Sequence, residues 1–263
     1  MQVQTDRGLK HYHFETFPED AVYQAVYSRH GGVSPSPWKS LNLGSTVGDQ
    51  LSNVVENKQR LLEQADLNED QLHEVWQVHS DRIVIAEQPR ALDRPLQKAD
   101  AVITDQPGIG LLMRFADCVP IFLYDPEKKA IGLVHAGWKG TALKVAAKTV
   151  KAMQRSYGSD PKRILAGLGP SIGPDHYQVG GEVIQAITSA FPDCHSKLLM
   201  EQHGTVQLDL WQANRTALEQ AGVKDIEISG ICTACEVDDW YSHRAEQGKT
   251  GRFGAVFYLK RGS

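Results

Sequence analysis

Short apolar or alternating segments bounded by turn residues dominate the chain, and this pattern predicts β-strands. The predicted strands lie at 21–28, 74–78, 82–86, 101–104, 110–113, 163–168, 226–233 and 254–259, with two more on either side of a turn at 125–128. They follow one another as meanders and hairpins, without the regular strand–helix–strand alternation of a parallel sheet. The pattern therefore favours mixed or antiparallel sheets.

Four other segments have apolar residues at helical spacing. They predict helices at about 52–65, 143–157, 183–191 and 210–221. Gly158 follows one of these segments and Asp209 precedes another, which are the positions of helix-ending and helix-capping residues. Because no linker or internal repeat interrupts the chain, we expect one α+β domain spanning residues 1–263.

The turn beginning Asp125-Pro126 brings two reactive side chains together. If the hairpin is centred between Pro126 and Glu127, Cys118 lies opposite His135 at the open end of the ladder. A thiolate facing an imidazole suits a transition-metal site or an activated thiol. This pair is the first candidate for chemistry in the chain.

A third residue, His79, lies at the end of a predicted strand beside a turn. With Cys118 and His135 it would make three protein ligands and leave one position open, which is the pattern of a catalytic zinc. The alternative is a hydrolase in which His135 deprotonates Cys118, an arrangement that needs a further residue to orient the imidazole. A zinc site needs His79, whereas a Cys-His hydrolase does not.

Two other classes of protein are less well supported. A multicopper oxidase needs many paired histidines, but this chain has ten in all and only His11 and His13 form a His-x-His pair. A binding or scaffold protein would not need the polar glycine loops that cluster around Arg29, Asn42, Gly137 and Arg244. We therefore favour an enzyme.

One of these loops, at 135–140, resembles an anion site. Gly137 and Gly140 allow a ligand to approach the backbone, and the amides of the helix that follows can bind an anion. Lys139 adds a positive charge. The sequence contains neither a Walker motif nor a dinucleotide glycine pattern, so the two glycines, the helix amides and Lys139 are the features that indicate phosphate binding.

Composition limits the partners and the cellular compartment that we expect for this protein. The chain has 263 residues, a formal net charge of −4 and no basic run, which argues against nucleic acid as a partner. No apolar segment approaches the roughly 20 residues that span a membrane. Four scattered cysteines suggest a reducing cytoplasm. Cys232 and Cys235 form a lone C-x-x-C without the second pair of a zinc ribbon, so we interpret them as a structural pair, with redox or metal binding as the alternative.

Several motifs together resemble one known family. They are Arg-His-Gly-Gly-Val-Ser at 29–34, Ser-Leu-Asn-Leu-Gly at 40–44, Gln-Val-His at 77–79, Ala-Asp-Cys at 116–118, His-Ala-Gly-Trp-Lys-Gly at 135–140, Leu-Gly-Pro-Ser-Ile-Gly-Pro at 168–174 and Thr-Gly-Arg at 250–252. The chain resembles the laccase-domain, YfiH-like proteins, which are described as purine nucleoside phosphorylases with adenosine deaminase side activity. The resemblance covers nearly the whole chain.

The resemblance implies a layered α/β/β/α domain and a zinc site. His79, Cys118 and His135 would be the ligands, with copper as the less favoured metal. The implied partners are purine nucleosides, including methylthioadenosine, and phosphate, for a monomer or small homo-oligomer. The family also admits a peptidoglycan-precursor hydrolase that uses Cys118, or a copper-dependent polyphenol oxidase, as alternative functions.

The resemblance also implies a set of substrate-binding residues. Lys139, Arg60 or Arg244 would hold phosphate, and Arg29 and Asn42 are further candidates for contact with substrate. The chain has Lys139, Thr46 and Lys58 where the family commonly has Arg, His and Arg. Since lysine keeps the charge of arginine but loses its bidentate geometry, these departures bear on the anion site and not on the metal site.

Overall fold

The computed structural model describes residues 1–202 and 204–262 of the chain. Its strands are β1 (Gln2–Asp6), β2 (Leu9–His13), β3 (Val22–Tyr27), β4 (Leu72–Glu74), β5 (Ile83–Ile85), β6 (Ala101–Thr104), β7 (Gly110–Phe115), β8 (Val119–Asp125), β9 (Ala130–Ala136), β10 (Leu165–Leu168), β11 (Gln178–Val179), β12 (Leu199–Gln202), β13 (Thr205–Leu208), β14 (Asp225–Ile228) and β15 (Phe253–Leu259). The helices are α1 (Leu51–Gln64), α2 (Trp138–Ala142), α3 (Val145–Tyr157), α4 (Gly181–Ala190), α5 (His195–Leu198) and α6 (Leu210–Gln220). None of the helices in these described ranges is long and apolar enough to cross a membrane.

The described strands form two six-stranded sheets and a small third one. The first sheet has the order β1-β2-β3-β15-β7-β4 and the second β14-β10-β8-β9-β6-β5, while β11, β13 and β12 make the third. Most neighbours are antiparallel, but β4 with β7, β5 with β6 and β10 with β14 are parallel. The prediction of mixed and antiparallel sheets is confirmed.

Alternation along β8 explains why the sheets stack in layers. Phe122 and Tyr124 belong to an apolar cluster with Phe115 and Phe257 of the first sheet, because successive side chains of a strand point to opposite faces. Ile121 and its alternate neighbours pack instead with apolar residues of α3 and α6. On the far side of the first sheet, α1 adds its own apolar stripe. The order of layers is thus α/β/β/α, as expected.

The hairpin of β8 and β9 differs from its predicted register by two residues. Pro120, and not Cys118, pairs with His135, and Asp125 pairs with Ala130. The turn is longer than predicted because the Asp125 carboxylate accepts hydrogen bonds from the backbone N–H groups of Glu127 and Lys128 and Lys129 adopts a left-handed φ of 48°. A shift of two keeps side chains on the same face, so Cys118 and His135 are diagonal neighbours.

Other boundaries moved as well. The helix predicted at 143–157 begins at Val145, as α3, because Lys144 adopts a left-handed φ of 56°, and the short helix α2 before it was not predicted. The strand predicted at 74–78 is β4 and ends at Glu74, so that His79 follows an irregular segment. The strands β1, β2, β11, β12 and β13 were not predicted.

The irregular segment at 29–50 is fastened to α1 by one buried amide. Asn57 donates to the hydroxyl of Ser34 and to the carbonyls of Ser40 and Asn42, and its oxygen accepts from the Val33 N–H. Because each of these backbone groups has a partner, the segment holds a defined shape without regular structure.

Candidate functional site

The three predicted ligands lie together at one end of the gap between the two large sheets. They line a cavity of about 580 Å³, to which the segments 44–46, 75–79 and 114–118 and the residues Trp138, Tyr177 and Arg252 contribute. The cavity opens where β8 begins and β9 ends. The fold thereby brings together side chains that are far apart in the sequence.

The donor atoms of His79, Cys118 and His135 lie within 4.8 Å of one another. The sulfur of Cys118 is 3.8 Å from Nε2 of His79, and the two imidazole rings meet edge to face with centroids 4.9 Å apart. Zinc bonds of about 2.3 Å to sulfur and 2.0–2.1 Å to nitrogen, arranged tetrahedrally, separate such atoms by about 3.6 Å. The donor set fits a zinc ion with one further position for water or substrate.

The buried carboxylate of Asp100 organises two of these ligands. Its Oδ1 lies 2.8 Å from Nδ1 of His135 and accepts the backbone N–H of His79 at 2.9 Å. The N–H and hydroxyl of Ser80 donate to its other oxygen. Such a carboxylate fixes the tautomer and orientation of a metal-binding histidine. Sequence reasoning missed Asp100; its position directly before the buried strand β6 was the available signal.

The electrostatics of the cluster favour a thiolate beside an imidazolium. Burial opposes ionisation of Cys118, but the His135 and His79 imidazoles outweigh it and lower the thiol pKa to about 6. Burial likewise opposes protonation of His135, yet the thiolate of Cys118 and the carboxylate of Asp100 raise its pKa to about 9. Without metal, the pair is therefore ionised between about pH 6 and pH 9.

This ion pair predicts the pH dependence of the metal-free protein. A thiol with a lowered pKa gives stability that is lost as pH falls through about 6, and an imidazole with a raised pKa gives stability that is lost as pH rises through about 9. Alkylation of Cys118 in chelated protein should therefore reach its plateau rate near pH 6–7. Mass spectrometry of the labelled peptide measures this rate, with Cys118→Ser as background. A rate that continues to rise up to pH 9 would contradict the ion pair.

The backbone of Gly137 lies close to two of the three predicted ligands, Cys118 and His79. A Cβ there would lie 2.8 Å from the Cys118 sulfur and 3.0 Å from Cδ2 of His79. Overpacking of this kind costs about 1–3 kcal/mol, which corresponds to roughly ten- to hundredfold in affinity.

Gly137→Ala is accordingly expected to weaken metal binding at the cluster by about ten- to hundredfold. Competition with a chromogenic chelator measures the affinity. Gly180→Ala is the matched control, because a Cβ there meets no atom within 4 Å. Equal affinity in the two variants would show that the ligands do not need the space at Gly137.

Asp117, the residue before Cys118, forms hydrogen bonds with three other loops. It has a left-handed φ of 79°, and its carboxylate accepts from the Thr233 hydroxyl and from the backbone N–H of Arg244. Its carbonyl accepts the N–H of Ile172. A strained backbone held by so many partners is typical of a functional site.

Only some of the predicted substrate-binding residues lie at the cavity. Arg244 lines the cavity and Asn42 does not, but the Asn42 amide oxygen accepts hydrogen bonds from the backbone N–H groups of Gly44 and Arg252, which do line it. Arg29, Arg60 and Lys139 do not line this cavity. The Arg29 guanidinium bonds Glu246 and backbone carbonyls, that of Arg60 bonds Glu56, and Lys139 lies over the Trp138 ring.

Two further arginines line the cavity. Arg114 is neutralised by the buried carboxylate of Glu74, 2.6 Å away. Arg252 donates to the carbonyls of Thr250 and Gly251, and burial lowers its pKa. In the ranges that the structure describes, neither Arg252 nor Arg244 has a carboxylate within salt-bridge distance. Arg252 belongs to the Thr-Gly-Arg motif, which was the signal for it.

Known proteins resemble this chain along nearly its whole length. A family model described as multi-copper polyphenol oxidoreductase laccase matches residues 23–260. The purine nucleoside phosphorylase of Deinococcus radiodurans is 38% identical over 244 residues, covering 93% of this chain and 92% of that protein. The purine nucleoside phosphorylase YfiH of Escherichia coli is 35% identical, covering 88% and 91%. The crystal structure of YlmD from Geobacillus stearothermophilus matches with a TM-score of 0.90 at 33% identity, covering 98% of each chain.

Proposed function

Because the chain belongs to the laccase-domain family that includes the YfiH and YlmD proteins, we propose that it is a zinc-dependent, cytoplasmic purine nucleoside phosphorylase. The reaction joins phosphate to C1′ of the nucleoside and releases the purine base, giving ribose 1-phosphate. One observation carries the proposal. Two of the three arginines that line the cavity of the three-ligand cluster, Arg244 and Arg252, have no carboxylate within salt-bridge distance among the described residues.

The donor set favours zinc over a multicopper centre. One thiolate and two imidazoles suit the borderline softness of zinc. His79, Cys118 and His135 would hold the ion. When bound, zinc supplies Lewis acidity at the open position.

The residues of the chain itself bind and orient the reactants. Arg244 and Arg252 would hold the phosphate dianion, since guanidinium groups bind phosphate oxygens in a bidentate manner. The aromatic rings of Trp76, Trp138 and Tyr177, which line the cavity, offer faces on which a purine can stack. Asp100 keeps His135 and the backbone of His79 in place while substrate enters.

The proposal extends to two further reactions at this site. Deamination of adenosine would need the Lewis acidity of the zinc at C6 of the base. Phosphorolysis of methylthioadenosine would need only that the cavity admits a methylthio group in place of the 5′ hydroxyl.

The decisive experiment is chromatography of products after incubation of purified protein with adenosine, with and without phosphate. Adenine that appears only with phosphate supports phosphorolysis, whereas inosine without a phosphate requirement makes deamination the main reaction.

Arg252→Gln should raise the KM for phosphate by about tenfold or more. Arg60→Gln is the control, because that guanidinium pairs with Glu56 outside the cavity. No turnover of adenosine, inosine or methylthioadenosine by zinc-loaded protein would overturn the proposal.

A second candidate, a Cys-His hydrolase such as one acting on peptidoglycan precursors, is favoured by one observation. Asp100, His135 and Cys118 form the carboxylate–imidazole–thiol sequence that activates a nucleophile. Metal content separates the two functions. Stoichiometric zinc in freshly purified protein supports the phosphorylase, and a metal-free, alkylatable Cys118 supports the hydrolase. Phenol oxidation by copper-loaded protein tests the polyphenol oxidase alternative.

A further inference from the structure

The C-x-x-C of Cys232 and Cys235 has a third donor that lies far away in the sequence. Nδ1 of His176 is 3.9 Å from the Cys232 sulfur and 3.5 Å from the Cys235 sulfur. All three donor atoms lie within 4.8 Å of one another. The sequence shows no second cysteine pair for a zinc ribbon, and the fold supplies this histidine instead.

The local backbone presents the two sulfurs on one side of a turn. Cys232 is buried and forms a parallel bridge with Ser171. The N–H groups of Cys235 and Glu236 then bond the Cys232 carbonyl, so the chain turns back before the second sulfur. The Gly173 N–H donates to the Cys232 sulfur at 3.1 Å, and a donor of this kind stabilises a thiolate more than a thiol.

The spacing of the donors agrees with tetrahedral coordination. Zinc–ligand bonds of about 2.3 Å to sulfur and 2.0–2.1 Å to nitrogen separate a sulfur from a nitrogen by about 3.6 Å, and the two observed separations lie on either side of this value. The side chains of His176 and Cys235 are exposed, so an ion can enter from solvent. The exposed residues Asp175 and Glu236, next in sequence to His176 and Cys235, add negative charge beside the cluster.

We propose that His176, Cys232 and Cys235 form a second site for a thiophilic divalent cation of the zinc class. Two thiolates and one imidazole select such an ion over the hard cations Mg²⁺ and Ca²⁺. The site is separate from the cluster of His79, Cys118 and His135, and its ligands do not line the cavity.

The second site lies next to residues that line the cavity, Arg244, Tyr177 and Asp117. The His176 carbonyl accepts a hydrogen bond from the Arg244 guanidinium, and the next residue, Tyr177, stacks against the same guanidinium. Thr233, between the two cysteines, bonds the Asp117 carboxylate. An ion that joins His176 to this turn ties together the two segments that position Arg244.

The test is the metal content of the intact protein. The protein is loaded with zinc under reducing conditions and desalted, and its zinc is then measured by elemental mass spectrometry. Wild type is expected to retain two equivalents, and Cys118→Ser and Cys235→Ser one equivalent each. The double variant should retain none. Cys194→Ser, a change at a cysteine outside both clusters, should retain two.

Cobalt provides a second readout that does not depend on nucleoside turnover. Cys118→Ser protein loaded with Co²⁺ should show thiolate-to-metal charge-transfer absorption, and the added change Cys235→Ser or His176→Gln should abolish or shift it. Because Cys235 and His176 are exposed, these variants should keep the circular dichroism of the parent. Folded Cys118→Ser protein that retains no metal would overturn the proposal, as would a Cys232–Cys235 disulfide as the main form in freshly isolated, alkylated protein.

Discussion

Replacing Cys118 by alanine is expected to reduce the proposed phosphorolysis of adenosine by more than about a hundredfold. Changes to groups that merely orient a metal ligand cost ten- to hundredfold in affinity or activity, so removal of a ligand should cost more. Alanine also removes the thiolate that pairs with His135 and leaves that imidazole beside Asp100 alone. The protein should lose one equivalent of zinc together with its activity.

Initial rates of adenine release and zinc content measured on the same preparations check this prediction. Cys194→Ala is the matched control, since it makes the same change at a half-buried cysteine that lies outside the cavity. Unaltered phosphorolysis in the Cys118 variant would show that the reaction does not use this cluster.

Replacing Asp100 by asparagine should weaken zinc binding by about ten- to hundredfold while leaving the ligands themselves intact. The carboxylate accepts hydrogen bonds on both oxygens, from His135, Ser80 and the backbone of 78–80. An amide of the same size must turn an N–H₂ group toward one of these donors. The His135 pKa should fall as well, because a charge that raises it is removed.

Zinc affinity by chelator competition, with histidine resonances followed by NMR in chelated protein, measures both effects. Asp81→Asn is the control, because this neighbouring carboxylate pairs with Lys148 at the surface, where an ion pair contributes about 1 kcal/mol or less. Loss of affinity with an unchanged His135 titration would mean that Asp100 acts through the backbone of His79 alone.

The sequence predicts those parts of the fold that bury one regular face. The helix α1 was predicted to within one residue of each end because its apolar stripe packs on the first sheet. The strand β1 was missed because all five of its residues are exposed, so no apolar pattern marks it. The hairpin register depended on a side-chain hydrogen bond of Asp125 and on the left-handed Lys129, neither of which hydrophobicity encodes.

In the candidate site, too, some residues could be predicted from the sequence and others were found only in the structure. His79, Cys118 and His135 could be singled out because their chemistry is distinctive and they lie beside turns and strand ends. Asp100 was missed, because its position before β6 does not show its role, which consists of contacts with a segment some twenty residues earlier and with β9. The same applies to His176, which meets Cys232 and Cys235 only in the folded chain. Arginines were harder still, since the positive charge of a residue does not reveal whether a carboxylate neutralises it.

The position of β15 in the middle of the first sheet has a consequence for biosynthesis. This strand, from the far end of the chain, pairs with β3 on one side and β7 on the other. Until it leaves the ribosome, both of those strands have unpaired edges, which are templates for association with other chains. Pairings this remote in sequence also form slowly. The first sheet, and with it the cavity to which Arg114 and Arg252 contribute, can therefore be completed only after nearly the whole chain has been synthesised.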